Sequence, residues 1–561
     1  MGDVLEYLVD GTSGLAPGGV DGAAMIVGVC SRGEPGKGYL LGKRSDLASL
    51  LGVGPLVDAL RDVFATGGQN PTVIAVPVAG QPAGYISPVR QSGPGAAVKV
   101  TGVPQANADI VLKVASDGTV GLASVQLSKD GGATFETQQA SATQITVPGT
   151  GVTFTFPDAG ELKTATTYAC KARMDVGPVT RTGTGPAITL AGTPKVGGEL
   201  VLEIMRGGAR NEGTYRLSLD GGDTFTAVRT IPVDGTAPAG DTGITITFPA
   251  GDYVGGTSYA ATLLAPVPSI VDVMATLQRP LELYDVEFVH IVGPSDSVDW
   301  AAAQAKADEL WNLHRPTYFK LEARLPYDGE DLNDWVAGLL VEREAFSGRF
   351  VQVCAQFGEV TDATGQRKTR NFGGLQAGRV LSIPVQRATG RVRDGAIAPG
   401  VLPAGWNEAV QGALEKAGYV TAKTYAGLRG AYWADSRTMA EVTSDFQYEE
   451  VLRVVFKAVR KLRIAALKSM YDELGDPLVP ENAAGLQYLR TNLESALTTM
   501  TAAVPPEMAG YVVTIPPGQD YVNNGVAVEA TLIGIPIIRQ IKLFANYAYA
   551  GSAFDPRLKA A

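Results

Sequence analysis

Two copies of one pattern hold the residues best placed for chemistry. Ser128, Asp130, Gly132, Thr134 and Phe135 recur as Ser218, Asp220, Gly222, Thr224 and Phe225, about ninety residues later. This is the Asp-box pattern S-x-D-x-G-x-T-[WF], and a carboxylate flanked by hydroxyls could in principle act on a glycoside. The same residues also make a turn: Asp130 and Asp220 cap the bend, Gly132 and Gly222 permit it, and the aromatic ring is expected to plug the core. Propeller blades that carry such boxes repeat every ~40–50 residues. The longer offset here, with only two copies, points to a folding device.

Other chemistries lack their parts. The Gly-rich run GVCSRGEPGKG (28–38) follows a strand-like segment, but a phosphate loop needs a first glycine where Ser31 stands and a hydroxyl where Gly38 stands. Two histidines, His290 and His314, are poor material for a metal site or a His-based catalyst, and His290 lies in a strand-like run that reads as core. Cys30, Cys170 and Cys354 are scattered and odd in number, so they suggest neither a disulfide framework nor a Cys/His metal site, and a reducing compartment is expected. Glu330, Asp331 and Asp334 fit the first turn of a helix, where acids complement the dipole. No cofactor or metal is expected.

Composition narrows the classes further. A formal charge of -10 argues against a nucleic-acid binder, whose affinity rests on basic surface. No apolar run approaches the length of a membrane span, and the start of the chain has neither the basic nor the apolar region of a secretory signal. With 561 residues, 45% of them hydrophobic, several cores can form.

The elements that position these residues have two rhythms. The Asp boxes sit in a duplication: GVP (102–104) pairs with GTP (192–194), VTFTFP (152–157) with ITITFP (244–249), and TTYACKA (166–172) with TSYAATL (257–263). Alternation and Gly-rich turns predict two tandem β-sandwiches. Outside them, strands alternate with helices, which predicts a covered, largely parallel sheet. Strands are expected at 23–30, 72–78, 284–293, 317–325 and 350–358. Helices are expected at 55–68, 298–314, 330–348 and 373–386. Residues 80–95, rich in Gly, Pro and Ser, read as a linker. The last third predicts helices over 445–474 and 482–502, then strands over 511–515, 525–535 and 537–550.

One charge pattern stands out. On the 445–474 helix, Arg453, Lys457, Arg460, Lys461 and Lys468 fall on one side, with Leu452, Val455, Val459, Leu462 and Ala466 opposite. A basic stripe in an acidic chain suggests docking to an acidic partner.

Three segments resemble the sheath proteins of contractile phage tails and related injection machines. They are AAMIVGVCSRGEPGKG with LASLLGVGPLVDALRDVFATGGQNPTVIAVPV, then GLRGAYWADSRTMAEVTSDFQYEEVLRVVFKAVRKLR (427–463), then GVAVEATLIGIPIIRQIKLFANYAY. The segment ADSRTM, with Arg437 and Thr438, replaces a commoner Gly-Ala-Arg-Thr-Leu form and marks a divergent branch. The resemblance implies an α+β multidomain subunit. Its α/β core would be built from N- and C-terminal parts and interrupted by the two Ig-like modules. The implied divisions are a linking arm over 1–20, core over 21–90, modules over 91–181 and 182–268, an α/β domain over 269–395, and a C-terminal core domain over 396–561. It further implies a structural protein of the virion tail, not an enzyme, assembled in the bacterial host cytoplasm. Such subunits polymerise helically with themselves as stacked hexameric rings and contract to drive a tube through an envelope. The implied partners are the inner tail tube, the baseplate and the tail terminator, with no membrane insertion and no direct nucleic-acid contact. Inter-subunit strands would fall at Val4, Leu5, Tyr7 and Leu8 and at Val526, Val528, Ile541, Leu543 and Tyr547. The basic stripe would face the tube.

Two other readings compete. A surface adhesin using the β-modules would require a signal sequence, and an enzyme on the α/β portion would require polar residues converging beyond the strand ends. The sequence alone assembles no such set.

Overall fold

The computed structural model describes residues 22–476, 483–550 and Arg557. The expected arm residues Val4, Leu5, Tyr7 and Leu8 lie outside the described residues. The chain divides into two compact units, Met1–Ile464 and Ala465–Ala561. The architecture is mixed α+β and multidomain.

The first unit is organised by a six-stranded sheet. Its strands are β1 (Ala23–Val29), β2 (Tyr39–Leu41), β3 (Thr72–Val78), β4 (Phe288–Ser295), β5 (Tyr318–Ala323) and β6 (Val351–Cys354), in the spatial order β2-β3-β1-β4-β5-β6. All neighbours are parallel except the β2–β3 pair. Strand β1, AAMIVGV, is buried at every position, as a central strand covered on both faces must be. The first crossover runs from β1 to β3 through α1 (Leu47–Leu51) and α2 (Pro55–Thr66), and the later ones run outward from β4 through α4 (Ser297–Asn312) and α5 (Leu332–Glu344). The chain thus moves in opposite directions from the β1/β4 pair, and right-handed crossovers place helices on both faces. Several helices begin where a side chain can take up free N–H groups. Asp296 caps α4 in a capping box with Asp299, and Ser269 caps α3 (Ile270–Leu283).

Between β3 and α3 lie the two β-modules. In the first, strands 124–128, 108–116 and 167–173 form the centre of one sheet, and 144–147, 152–155 and 99–102 form the other. One core fills the space between them, from Leu112 and Val125 to Phe154 and Tyr168. The second module repeats this plan around Leu202, Tyr215, Phe248 and Tyr259. The expected linker at 80–95 is instead part of the first module, because Tyr85–Ile86 and Arg90–Ser92 pair with its strand Thr167–Arg173. Proline and glycine suggested a free chain, but they lie beside and between these two short strands, which contain neither. At the neck of the insertion, Gln81 and Val267 pair as an antiparallel bridge, with N–H···O distances of 2.8 and 3.1 Å in the two directions.

Beyond β6 the chain makes a small sheet from Phe357–Thr361, Arg367–Asn371 and Gly400–Val401. Next come α6 (Gly373–Ser382), α7 (Glu408–Lys416) and α8 (Glu449–Leu467). Helix α6 packs against α2, and two glycines set the closeness of that contact: a Cβ at Gly374 or Gly378 would meet α2 backbone within 3.0 Å; one at Gly373 would instead meet Glu322.

In the second unit, α9 (Ala484–Thr501) packs on a hairpin of Gly510–Thr514 and Glu529–Ile533 through Leu497, Met500 and Val513. The expected strand at 537–550 is not formed within the chain; that stretch has no regular structure.

Candidate functional site

The structure assembles a polar set that sequence reasoning missed. It lies at the carboxyl ends of β1, β4 and β5, where the direction of winding reverses and where open α/β sheets commonly bind ligands. A cavity of about 810 Å³ opens there, lined by Asp62, Glu322, Arg324 and Arg370 from the core and by Asp220 and Pro266 from the second module.

Each charged group lining this crevice is engaged by a neighbouring side chain. Arg370 grips Asp62 through two bonds of 2.7 and 2.8 Å, and Lys368 meets Asp58 at 3.1 Å. Arg324 forks onto Glu330 at 2.6 and 2.8 Å. Glu322 lies 3.1 Å from His290 Nε2 and accepts the Gly293 N–H at 3.0 Å. Burial pushes the Asp62 carboxyl up to about 6, with Arg370 pulling the other way. Arg367 crosses the crevice to Asp223 of the second module at 2.7 Å. All four lining cations, Arg324, Arg367, Lys368 and Arg370, are thus in ion pairs. The arrangement ties strand ends, α2, the small sheet and a module into one body. Burial also pushes the three thiols up, Cys30 to about 11 and Cys170 and Cys354 to about 12, away from thiolate chemistry.

The Asp boxes are local. Asp130 accepts from the Ser128 hydroxyl at 2.7 Å, from Thr134 N at 2.9 Å and from the Thr134 hydroxyl at 2.6 Å. Asp220 repeats this with Ser218 and Thr224 at 2.6, 2.9 and 2.7 Å. Gly132 and Gly222 donate to the serine hydroxyls at 2.8 and 2.9 Å and hold φ of 95° and 104°. The aromatic residues do not plug the core. Phe135 is 37% exposed, and Phe225 lies under the Arg216 guanidinium at 3.9 Å. Each box sits at a strand end on the outer face of its sheet, where a ring is better placed beneath a cation than among core side chains.

The basic stripe on α8 breaks up. Arg453 is not on a solvent face: it is 3% exposed and pairs with Glu287, itself 1% exposed. Arg460, half-buried, donates to the carbonyls of Val286 and Pro316. Both arginines therefore reach toward the start of β4. Glu287 is remote in sequence, and helical periodicity cannot reveal it. Glu449, on the same helix, takes Lys320 at 2.5 Å, the Tyr318 hydroxyl at 2.9 Å and Gln376 at 3.0 Å. Burial alone would raise the Glu449 carboxyl, but Lys320 and Arg453 override it and hold it below its ordinary range. Lys457 and Lys461 are half-buried; Lys468 is exposed but lies just past the end of α8, because the helix expected over 445–474 stops at Leu467.

In the second unit, the hairpin strands pair only with each other among the described residues. Val526 and Val528, in its connection just before the second strand, are half-buried. The chain beyond carries a run of exposed apolar side chains: Ile538 80%, Ile541 73%, Leu543 89%, Phe544 85%, Tyr547 82% and Tyr549 73%. No helix among the described residues is long and apolar enough to cross a membrane, and no group of acids, His and Cys among them is arranged to hold a metal.

Comparison with known proteins gives two family matches. The family described as "DUF2586, N-terminal domain" matches residues 1–437, and "DUF2586, C-terminal domain" matches residues 445–552. Among solved structures, the chain is similar to the sheath tail protein of Desulfitobacterium hafniense, with 12% identity, a TM-score of 0.43, and 95% of this chain and 100% of that one covered. The sheath tail protein of Listeria innocua matches with 12% identity and a TM-score of 0.41, over 92% and 96% of the two chains. The helical sheath of the anti-feeding prophage in its contracted state matches with 18% identity and a TM-score of 0.37, over 52% of this chain and 79% of that one. No curated protein matches.

Proposed function

The chain belongs to the DUF2586 family, and we propose that it is the structural subunit of a contractile tail sheath. One observation carries this reading: the C-terminal run leaves Ile538, Ile541, Leu543, Phe544, Tyr547 and Tyr549 73–89% exposed, following a hairpin whose strands pair only with each other among the described residues. An apolar surface of this kind marks an interaction site, and strand addition to another copy is one way such a segment docks. The sequence resemblance of the three segments to sheath proteins supports the same conclusion.

On this reading the subunit polymerises helically around an inner tube. Ile541, Leu543 and Tyr547, with Val526 and Val528, join neighbours, and the N-terminal arm joins others. Contacts that do not close on themselves build a helix rather than a ring pair. Contraction reorients subunits as rigid bodies while the strand links hold. The crevice at the switch point, filled by its own ion pairs, keeps the first unit rigid for that motion. The two modules are Ig-like sandwiches projecting from the core. The partners are an inner tube, a baseplate and a terminator, and the assembly belongs to a phage tail or phage-derived machine. Lys457, Lys461 and Lys468 remain as the tube-facing set.

Negative-stain microscopy of the purified protein, alone and with a co-expressed tube protein, tests this. Sheath subunits give tubes or stacked rings. A protein that stays monomeric at high concentration in both preparations is not one.

A further inference from the structure

The covalent chain from residues 1–21 enters the described fold at Gly22, immediately before the central strand β1. The Gly22 N–H donates to Glu287 Oε2 at 2.7 Å, and the Glu287 N–H donates back to the Ala23 carbonyl at 2.9 Å. On its other side the Glu287 carboxylate receives both Nε and Nη2 of Arg453. Arg453 lies in the first turns of α8, the helix by which the chain leaves the first unit. Seven residues on, Arg460 binds the carbonyl of Val286, next to Glu287. One buried carboxylate therefore grips the point of arrival of the chain and the helix of its departure.

We propose that Glu287 and Arg453 form a mechanical clamp. A pull applied between the N-terminal arm and α8 is carried across Gly22, Glu287 and Arg453, rather than through the β-modules. Charge-assisted, two-point hydrogen bonds in a buried setting are the strongest non-covalent links a chain can place there. Gly22 has φ of +89°, so the backbone that presents its N–H to the carboxylate is one that other residues adopt with strain. The clamp's biological role, passing tension from subunit to subunit, rests on the sheath reading, but its mechanics belong to a single chain.

Single-molecule force spectroscopy on the full chain tests it. One handle is placed at the N-terminus and the other at position 463, which is exposed. A control axis uses positions 103 and 233, exposed points on the two modules. The test variant is the double swap Glu287→Met with Arg453→Met, since replacing a buried ion pair by apolar side chains of similar size often preserves folding. Unfolding along the first axis should become roughly tenfold faster at a given force, with the control axis unchanged. A folded double variant with unaltered kinetics along the first axis overturns the proposal, as does equal weakening along both axes. Should the double variant not fold, Arg453→Lys, which keeps the charge and loses the two-point grip, decides by the same criteria. Failure of the wild-type chain to polymerise counts against the sheath reading alone and leaves this test intact.

Discussion

The rings of Tyr85 and Tyr327 lie with centroids 4.7 Å apart, and the Tyr85 hydroxyl accepts the Asp328 N–H at 3.1 Å. Tyr85 belongs to the first module and Tyr327 to the core loop after β5. The Asp328 carboxylate adds Arg173 at 2.6 Å and Lys171 at 3.3 Å. The module is thus docked by a small, half-exposed cluster. Asp328→Lys should undock it at a cost of about 1 kcal/mol or less, because such pairs are screened. Limited proteolysis should then cut the joint at 174–179 faster, with the core's thermal transition unmoved.

The same cluster gives a pH dependence. Arg173 and Lys171 hold the Asp328 carboxyl below its ordinary value. A carboxylate depressed in the folded state stabilises above its unfolded pKa, about 3.9, and that contribution is lost as pH falls through the lower folded value. Small-angle scattering should show the module docked from pH 7 to 5 and loosening below about pH 4. Loosening between pH 7 and 5 would point to another group.

Arg453 and Lys461 share a helix and a charge but not an environment. Arg453→Ala should cost about 3–5 kcal/mol, because it leaves the Glu287 carboxylate buried without its partner. Lys461→Ala should stay within about 0.5 kcal/mol. Chemical denaturation of the two variants measures the difference, and equal losses would mean that Glu287 is reached by water.

The two Asp boxes should also differ. Asp220 is 9% exposed and faces the crevice, whereas Asp130 is exposed. Asp220→Ala should cost about 1–3 kcal/mol, the range for a buried donor left unpaired. The loss at Asp130 should be smaller. Scanning calorimetry with two resolved module transitions would report each. A larger loss at Asp130 would contradict the role assigned to burial.

Truncation after Ile535 should leave a folded, soluble chain that no longer forms polymers, since the exposed apolar run is removed and, among the described residues, no core residue is touched. Sedimentation velocity and negative stain check this together. Tubes formed by the truncated chain would refute the role given to Ile541, Leu543 and Tyr547.

What was legible in the sequence follows from what is local. The burial of β1 throughout and of β3 from Val73 onward is written as continuous apolar runs, and the module cores as alternation along 152–155 and 244–247. The repeat announces itself because both copies need the same turn. What was not legible depends on partners distant in the chain. Asp62 meets Arg370 across 308 residues, and Glu322 meets His290 across 32, so the crevice has no motif. Arg453 looked like its neighbours on a helical wheel because Glu287 is 166 residues away. The pairing of 85–86 and 90–92 with Thr167–Arg173 was hidden by the prolines and glycines that flank these short strands.

The bridge between Gln81 and Val267 has a consequence on a longer timescale. Antiparallel partners stand about 5 Å apart, so the sheet meets the same boundary whether the chain makes a two-residue turn there or a detour of 185 residues between them. The pairing of β1, β3 and β4 is made among core strands alone. A change that lost, doubled or exchanged the outer modules would keep that pairing and would have to replace contacts such as Arg367–Asp223 and Arg173–Asp328. The repeat of the Asp-box module within this chain has the form such a change would leave.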